Sequence, residues 1–305
     1  MRFCVVGRNS DPLSTHTEAV ARARGHEVLQ VSLREPAAFD GTSWLVRGED
    51  LGAYDGFVVR QVPAAHALLG PPDEARTGAD WFRLGMAQQE RVTFAVSALM
   101  DLELQGKRIV NPPLASAPYD HKPLQLAVFQ RAGLPIPRTL VTSWPEAVRI
   151  FEADVGELVA KPAAGGAEAA LLDDGTRAKL PAIEDAPAIF QERVRGADVR
   201  VTLVGGRVIS SVIIESDTLD YRSGDAYRAG DARYLDHPLP RAAEDLCVRA
   251  AALCHHVLSG VDLKLRADGG YTLLEANSAP VYLDIEQKTG APITPAIVEW
   301  LERTA

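Results

Sequence analysis

The run Gly260-Val261-Asp262-Leu263-Lys264-Leu265-Arg266, then Ala267-Asp268-Gly269-Gly270, then Tyr271-Thr272-Leu273-Leu274-Glu275-Ala276-Asn277, reads as two strands joined by a turn. Apolar and polar residues alternate before the turn and through much of the segment after it, the period of a half-buried strand. A two-residue Asp268-Gly269 loop sets Ala267 opposite Gly270, and counting outward sets Asp262 opposite Glu275. Alternation then puts Asn277 on the Glu275 face, so three oxygen ligands converge on one patch of sheet. Two carboxylates facing each other across strands repel, and a bound cation relieves that repulsion. Oxygen donors without Cys or His suit a hard ion, Mg2+ or Mn2+. Unrelated acids on a solvated sheet face fit the same spacing, and spacing alone leaves both readings open.

Outward from this hairpin the chain changes character twice. Arg2 to Gly7, Glu27 to Val31, Gly56 to Arg60 and Arg108 to Asn111 are short apolar runs alternating with a helix led by Ser14/Thr15 and a helix from about Asp80 to Leu104. That is the pattern of a parallel α/β domain. Asn111-Pro112-Pro113 breaks it, and a domain boundary is expected near residue 115. A helix from about Asp120 to Gly133 follows. Short strands are then expected at Thr139 to Thr142, Leu158 to Lys161, Ile189 to Val194, Val199 to Val204 and Val208 to Ile214, the last two joined at Gly205-Gly206. A helix from Pro240 to about Leu258, the metal-candidate hairpin and a helix from about Pro295 complete the chain. The three segments are 1–115, 116–195 and 196–305.

Composition narrows the function. The 305 residues are 47% hydrophobic and 24% charged, the balance of a globular chain, and Lys plus Arg (32) fall short of Asp plus Glu (41), leaving a formal charge of −9. Phosphate-backbone binding needs a basic surplus, so nucleic acid is not expected as a partner. No apolar run is long enough for a membrane span or a signal peptide, so no membrane partner is expected, and a cytoplasmic location is. Cys4, Cys247 and Cys254 form no metal or disulfide pattern and read as core thiols.

Other residues carry weaker signals. Lys161 ends an apolar strand before Pro162-Ala163-Ala164-Gly165-Gly166-Ala167, where exposed amides could help it hold a polyphosphate, though a surface lysine fits equally well. Lys122 has the same two readings. Asp198 and Arg200 share a strand face, as an anion-neutralising arginine with its neighbour or as an edge charge pair. The loop from Asp220 to Gly230 holds Arg222, Ser223 and Arg228, suited to closing over an anion or merely to solvent. Arg60, at the end of its strand, reads as a contact by which the N-terminal domain could help choose substrate or, more simply, as a surface arginine. No Walker A, G-x-G-x-x-G or nucleophilic triad is present.

In order along the chain, these segments resemble the ATP-grasp superfamily, and within it the RimK-like carboxylate–amine ligases. The resemblance rests on Asp120-His121-Lys122, Val159-Ala160-Lys161, Gln191-Glu192-Arg193-Val194, Gly196-Ala197-Asp198-Val199-Arg200 and Asp220-Tyr221-Arg222-Ser223-Gly224. It is densest at Gly260-Val261-Asp262, Leu274-Glu275-Ala276-Asn277-Ser278-Ala279-Pro280 and Ile285-Glu286-Gln287-Lys288-Thr289-Gly290. It implies mixed α/β and α+β architecture: an ATP-grasp fold of two lobes behind an N-terminal Rossmann-like pre-ATP-grasp domain. By the family pattern Lys122 and Lys161 contact the ATP phosphates, and Glu192 and Arg193 form the adenine hinge, flanked by Gln191 and Val194. Asp198 binds the ribose side, while Arg222 and Ser223 reach the nucleotide or the acyl phosphate. Asp262, Glu275 and Asn277 hold Mg2+ or Mn2+, and Arg200, Arg222 and Arg228 hold the carboxylate or its phosphorylated form.

The implied reaction is ATP-dependent amide formation between a carboxylate and an amine acceptor, each a small molecule or peptide, through an acyl phosphate; the assembly is compatible with a homo-oligomer. A relative that closes lactone or lactam rings in a precursor peptide is the alternative, since Asp220-Tyr221-Arg222 and the run Glu286 to Ile293 resemble that group too. A non-catalytic nucleotide-binding protein and a plain scaffold are the other readings. Two departures from the family stand out: a lid at 163–168 poor in glycine and hydroxyls, and Val281-Tyr282-Leu283-Asp284 where a glycine is usual.

Overall fold

The computed structural model describes residues 1–8, 10–32, 35–60, 81–164, 168–216, 218–219, 224–225 and 229–303. The chain falls into two compact units, one of Met1–Ser116 with the segment from Thr294, the other Ala117–Ile293.

In the first unit, β1 (Arg2–Val6), α1 (Pro12–Ala23), β2 (Glu27–Val31), β3 (Ala37–Phe39), β4 (Trp44–Val46), β5 (Glu49–Asp50), β6 (Gly56–Val59), α2 (Trp81–Leu104), β7 (Arg108–Val110) and α3 (Pro113–Ser116) follow in order. A parallel sheet runs β2-β1-β6-β7. Its central strands are apolar on both faces, as parallel strands covered on both sides must be; Cys4, Val6, Phe57 and Val59 pack with Leu99, Leu102 and Ile109. Helix α1 starts earlier than its Ser14/Thr15 signal: Asp11 is the cap, its carboxylate accepting from Ser14 N at 3.2 Å and Ser14 Oγ at 2.7 Å. Ser14 is itself buried.

Three features of this unit differ from the sequence expectation. The meander β3-β4-β5 leaves no periodic signal because its strands have two or three residues each; Trp44 anchors it, donating to Asp101 at 2.7 Å and stacking on Phe39. Arg60 is buried, not superficial, with Nε 3.5 Å from Asp11. The C-terminal helix, expected within segment 196–305, packs on the first unit from Thr294 onward. The Arg108 guanidinium lies 4.3 Å over the Trp300 ring, and the Glu302 carboxylate accepts from Arg24 Nε at 2.8 Å and pairs with His26 at 2.7 Å.

In the second unit come α4 (Lys122–Arg131), β8 (Thr139–Thr142), α5 (Pro145–Val155), β9 (Leu158–Pro162), β10 (Ala170–Leu171), α6 (Asp174–Arg177), β11 (Ala188–Glu192), β12 (Ala197–Val204), β13 (Arg207–Ile214), β14 (Tyr234–Asp236), α7 (Arg241–Leu253), β15 (Leu258–Leu265), β16 (Tyr271–Asn277) and α8 (Leu283–Thr289). The C-terminal helix is α9 (Ile293–Glu302). Two antiparallel sheets form, β10-β9-β11-β8 and β14-β13-β12-β15-β16. In the larger, Val199, Val201 and Leu203 point into a core with Val261, Leu263 and Leu273, covered by Phe129 of α4 and Leu246 of α7. Alternation therefore turns Asp198, Arg200 and Thr202 to the opposite face. The Gly205-Gly206 turn has φ of 56° and 74°, the left-handed pair that a two-residue hairpin requires. Helix α7 ends at Leu253 rather than Leu258, because His255 takes the left-handed conformation (φ 54°) and Leu258 opens β15. The three cysteines are buried, and burial pushes the Cys247 and Cys254 thiols up to about 12.

The Glu302 network sets a pH dependence. The hydrogen bond from Arg24, against some burial and with help from His26, pulls the Glu302 pKa from 4.5 to about 2. A carboxylate whose pKa falls on folding stabilises the native state above its unfolded value and loses that contribution as pH drops through the folded value. Glu302→Gln should therefore lower the melting temperature at pH 7, and the gap from the unmodified protein should close between about pH 4.5 and 2, measured by thermal melts across that range.

Candidate active site

The pairing of Asp262 with Glu275 is observed, but by a different route from the one counted on the sequence. The turn closes one residue wider: Arg266 N donates to Gly270 O at 2.9 Å and Gly269, at φ 81°, to Arg266 O at 3.0 Å. Continued inward, that register would set Asp262 opposite Leu274. A β-bulge intervenes instead, with Leu263 paired to Leu273 and Asp262 to Glu275, so that Leu274 is the extra residue. The bulge turns Leu274 and Glu275 to the same side, where both line a cavity, while Leu273 and Ala276 both enter the core. Bulges re-aim side chains in this way.

Each acid on this face has a cation opposite it. Asp198 pairs in register with Lys264 and Arg200 with Asp262. Lys264 Nζ lies 2.8 Å from Asp198, and Arg200 grips Asp262 with Nε at 2.6 Å and a terminal nitrogen at 3.1 Å. Lys122 Nζ stands 2.9 Å from Glu275. Asn277 bridges the carboxylates, its amide nitrogen 3.3 Å from Asp262 and 3.1 Å from Glu275. Burial opposes ionisation of Glu275, but the charges of Lys122 and Lys161 and hydrogen bonds from Lys122 and Asn277 overcome it and hold its pKa well below the carboxylate range. Gly260 makes the packing possible: a Cβ there would come within 2.6 Å of Pro280 and 2.9 Å of the Arg200 guanidinium.

Lys122 is aimed by its own helix. One turn along, Gln125 presents its buried amide to the backbone of β16 as another strand would, donating to Ala276 O at 2.7 Å and accepting from Ala276 N at 3.0 Å. This clamp ties α4 to the strand that carries Glu275. On the other sheet Lys161 leaves β9, and Gln191, Glu192 and Val194 come from β11 and its exit.

These elements enclose one cavity. Lys122, Lys161, Gln191, Glu192, Val194, Asp198, Asp262 and Glu275 all line it, over a floor of Val159, Leu219 and Leu274. A second cavity shares Lys122 and Glu275 and adds Arg200 and Asn277. Arg193 lines neither. Its N–H is bonded to Glu157 O at 2.8 Å and its side chain to the Glu157 carboxylate at 3.2 Å. Arg222, Ser223 and Arg228 lie outside the described residues, as do Gly165, Gly166 and Ala167 of the lid. Sequence reasoning passes over Lys264, Leu274 and Gln125. Alternation from Asp262 places Lys264 on the site face; nothing in the sequence marks the bulge or the clamp.

The donor set fits a divalent cation. No group of three or more His, Cys, Asp or Glu side chains is placed to hold a metal among the described residues, but here the third ligand is an amide. Asp262 and Glu275 face each other, and rotation of the Asn277 amide exchanges its nitrogen for its oxygen, completing the hard-oxygen set that Mg2+ takes.

Comparison with known proteins gives a consistent picture. A family model described as a RimK-like ATP-grasp domain matches residues 170–301. Two curated proteins, each named a probable alpha-L-glutamate ligase, align along all of this chain and 96% of their own: one from Vibrio atlanticus at 26% identity and one from Teredinibacter turnerae at 28%. Among solved structures, the ATP-grasp ligase PsnB complexed with a phosphomimetic variant of its minimal precursor, Mg and ADP superposes with a TM-score of 0.86 at 31% identity, over 98% of this chain and 97% of that one. The macrocyclase MdnC of Microcystis aeruginosa, bound with precursor peptide MdnA, shares the fold at 20% identity, full coverage and a TM-score of 0.80.

Removing one partner of the inner ion pair should be costly, because Arg200 retains only 9% side-chain exposure. Asp262→Ala removes the carboxylate that Arg200 grips through two nitrogens, and breaking a buried pair in this way costs about 3–5 kcal/mol in comparable cases. Urea unfolding without metal should show a loss of that order, and adding Arg200→Ala should recover part of it.

Proposed function

The chain belongs to the RimK-like ATP-grasp ligases, and from that premise we propose that its substrate is a precursor peptide, in which it joins an acidic side chain to a side-chain amine or hydroxyl. The family carries the general chemistry: ATP-dependent condensation of a carboxylate with an acceptor amine through an acyl phosphate. The observation that carries the peptide reading is the 31% identity to PsnB along 98% of this chain, that enzyme being described in complex with its precursor. A second reading, transfer of free glutamate, is favoured by the full-length alignment with the probable alpha-L-glutamate ligases at 26–28% identity.

Several groups in the two cavities take part in this chemistry. The floor of Val159, Leu219 and Leu274 gives the adenine ring an apolar bed, beside the backbone of Glu192 and Val194. The Arg193 N–H is already bonded to Glu157 O, so the hinge N–H donors are those of its neighbours. Asp198, held by Lys264, faces the ribose. Lys122 and Lys161 neutralise the phosphates, and Asp262, Glu275 and Asn277 would hold Mg2+, which shields the γ-phosphate charge when bound. Transfer of this kind depends on positioning and charge neutralisation more than on covalent help from the protein. Arg200 borders the second cavity, where it stands ready to orient the substrate carboxylate. Arg222, Ser223 and Arg228 keep the roles that the family pattern implies.

Glu275→Ala removes a metal ligand and the partner of Lys122, so acid-dependent ADP release should fall at least a thousandfold, about 4 kcal/mol of transition-state stabilisation, while the fold, followed by circular dichroism, persists. The substrate reading is tested by incubating the protein with ATP and synthetic peptides bearing glutamate together with lysine or threonine, and separately with free glutamate and a glutamate-ended acceptor peptide. Loss of one water per ADP within the peptide supports the proposal; stepwise gain of glutamate residues supports the second reading. ATP binding without ADP release in any mixture would mark a non-catalytic nucleotide binder.

A further inference from the structure

The cavity that adjoins the carboxylate cluster contains a group that the ligase chemistry has not used. It is lined by Tyr119, Asp120, Arg200, Asn277, Ser278 and Pro280, together with the shared Lys122 and Glu275. A substrate carboxylate phosphorylated at the shared wall would present its carbonyl carbon to this space. The nucleophile that captures it carries a proton that must leave: an ammonium is inert until deprotonated, and a hydroxyl attacks poorly without a base. Of the two acids lining the cavity, Glu275 is committed to Lys122 at 2.9 Å and to the candidate metal set. Asp120 is different. It makes no ion pair among the described residues, stands exposed at the rim, and accepts a single hydrogen bond, from Ser278 Oγ at 2.5 Å.

We propose that Asp120 is the general base of the capture step, with Ser278 fixing the orientation of its carboxylate, a role that rests on the ligase function proposed above. The acceptor's nitrogen or oxygen lone pair forms the new bond to the acyl carbon. The bond from that carbon to the phosphate oxygen breaks, phosphate departs with the electron pair, and the acceptor's proton passes to Asp120. Water later removes it. The surroundings suit a base, because partial desolvation raises the Asp120 pKa against the Ser278 hydrogen bond and the charge of His121, bringing it nearer to working pH. The other charged or titratable groups about it are Lys122 on the same segment, Arg200 from β12, Glu275 from β16, Tyr119, and the buried Cys254 at the end of α7.

Hydroxylamine separates the two half-reactions, since it is unprotonated at neutral pH and traps an acyl phosphate without a base. With the glutamate- and lysine-bearing peptide, Asp120→Asn should lower kcat for ligation roughly a hundredfold or more. Hydroxamate formation and ATP affinity should stay within about twofold of the unmodified protein, and Asp120→Glu should restore part of the ligation rate. Ser278→Ala, which keeps the base but removes its hydrogen bond, should shift the acid limb of the ligation pH profile upward while leaving the hydroxamate profile in place. Undiminished ligation by Asp120→Asn, an equal loss of hydroxamate and ligation, or an unmoved limb in Ser278→Ala would each overturn the assignment. If the unmodified protein yields neither ADP nor hydroxamate, the ligase reading fails instead, and the two failures are told apart.

Discussion

Four charged side chains in register across adjacent strands organise the second unit. Asp198 against Lys264 and Arg200 against Asp262 form two rungs of opposite polarity, and Glu275 adds a second acid beside Asp262. Two carboxylates meeting across a strand pair repel. The sheet tolerates them because Arg200, Lys122 and the Asn277 amide sit among them, so the protein's own cations offset the two acids. Side chains already held in place would need little reorganisation if they took up a cation. On the proposed reading the same side-chain cations would meet phosphate oxygens, so one set of charges would both hold the acids and receive the nucleotide.

That polar face exists because the other face of the same strands is a core. Val199, Val201, Leu203, Val261 and Leu263 are buried against α4 and α7, and period-two alternation leaves Asp198, Arg200, Asp262 and Lys264 no other direction. A one-residue slip of either strand would bury the two charges it carries, which is why the register is so strongly specified. The bulge at Leu274 is where alternation along β16 is broken, and it does two things. It brings Glu275 opposite Asp262, and it adds an apolar side chain to the cavity floor beside a carboxylate. The Gln125 clamp then carries this register to α4, so that Lys122 reaches Glu275.

What can be read from the sequence follows from these constraints. The elements with strong periodicity or turn chemistry, such as β1, β2, β12, β13 and the Gly205-Gly206 turn, are legible because local pattern and tertiary burial agree there. The Asp262–Glu275 pairing is anticipated only through two offsetting departures: a turn one residue wider than counted and a bulge that restores the count. No local signal marks either one, since Leu274 is as apolar as its neighbours. Lys264 is readable in the alternation but easily overlooked beside the acids. The burial of Arg60 and the docking of α9 on the first unit are tertiary facts, fixed by Asp11, Trp300 and Glu302 at positions remote in the chain.

Two cavities of the second unit meet at Lys122 and Glu275, and on the proposed reading that sharing has a mechanistic consequence. A phosphoryl group moving from nucleotide to acid crosses between two binding spaces, and its charge must be met on both sides of the crossing. Residues belonging to only one space would hold either the donor or the product and would stabilise a ground state. Lys122 and Glu275 border both, so on the proposed reading they lie at the boundary where the charge would pass during transfer. Groups so placed act on the transition state in preference to either end of the reaction. On the proposed reading Asp198 and Lys264, which line the first cavity alone, would contribute to nucleotide binding, while Arg200 and Asn277 extend the charged surface into the second cavity, where the acid would sit.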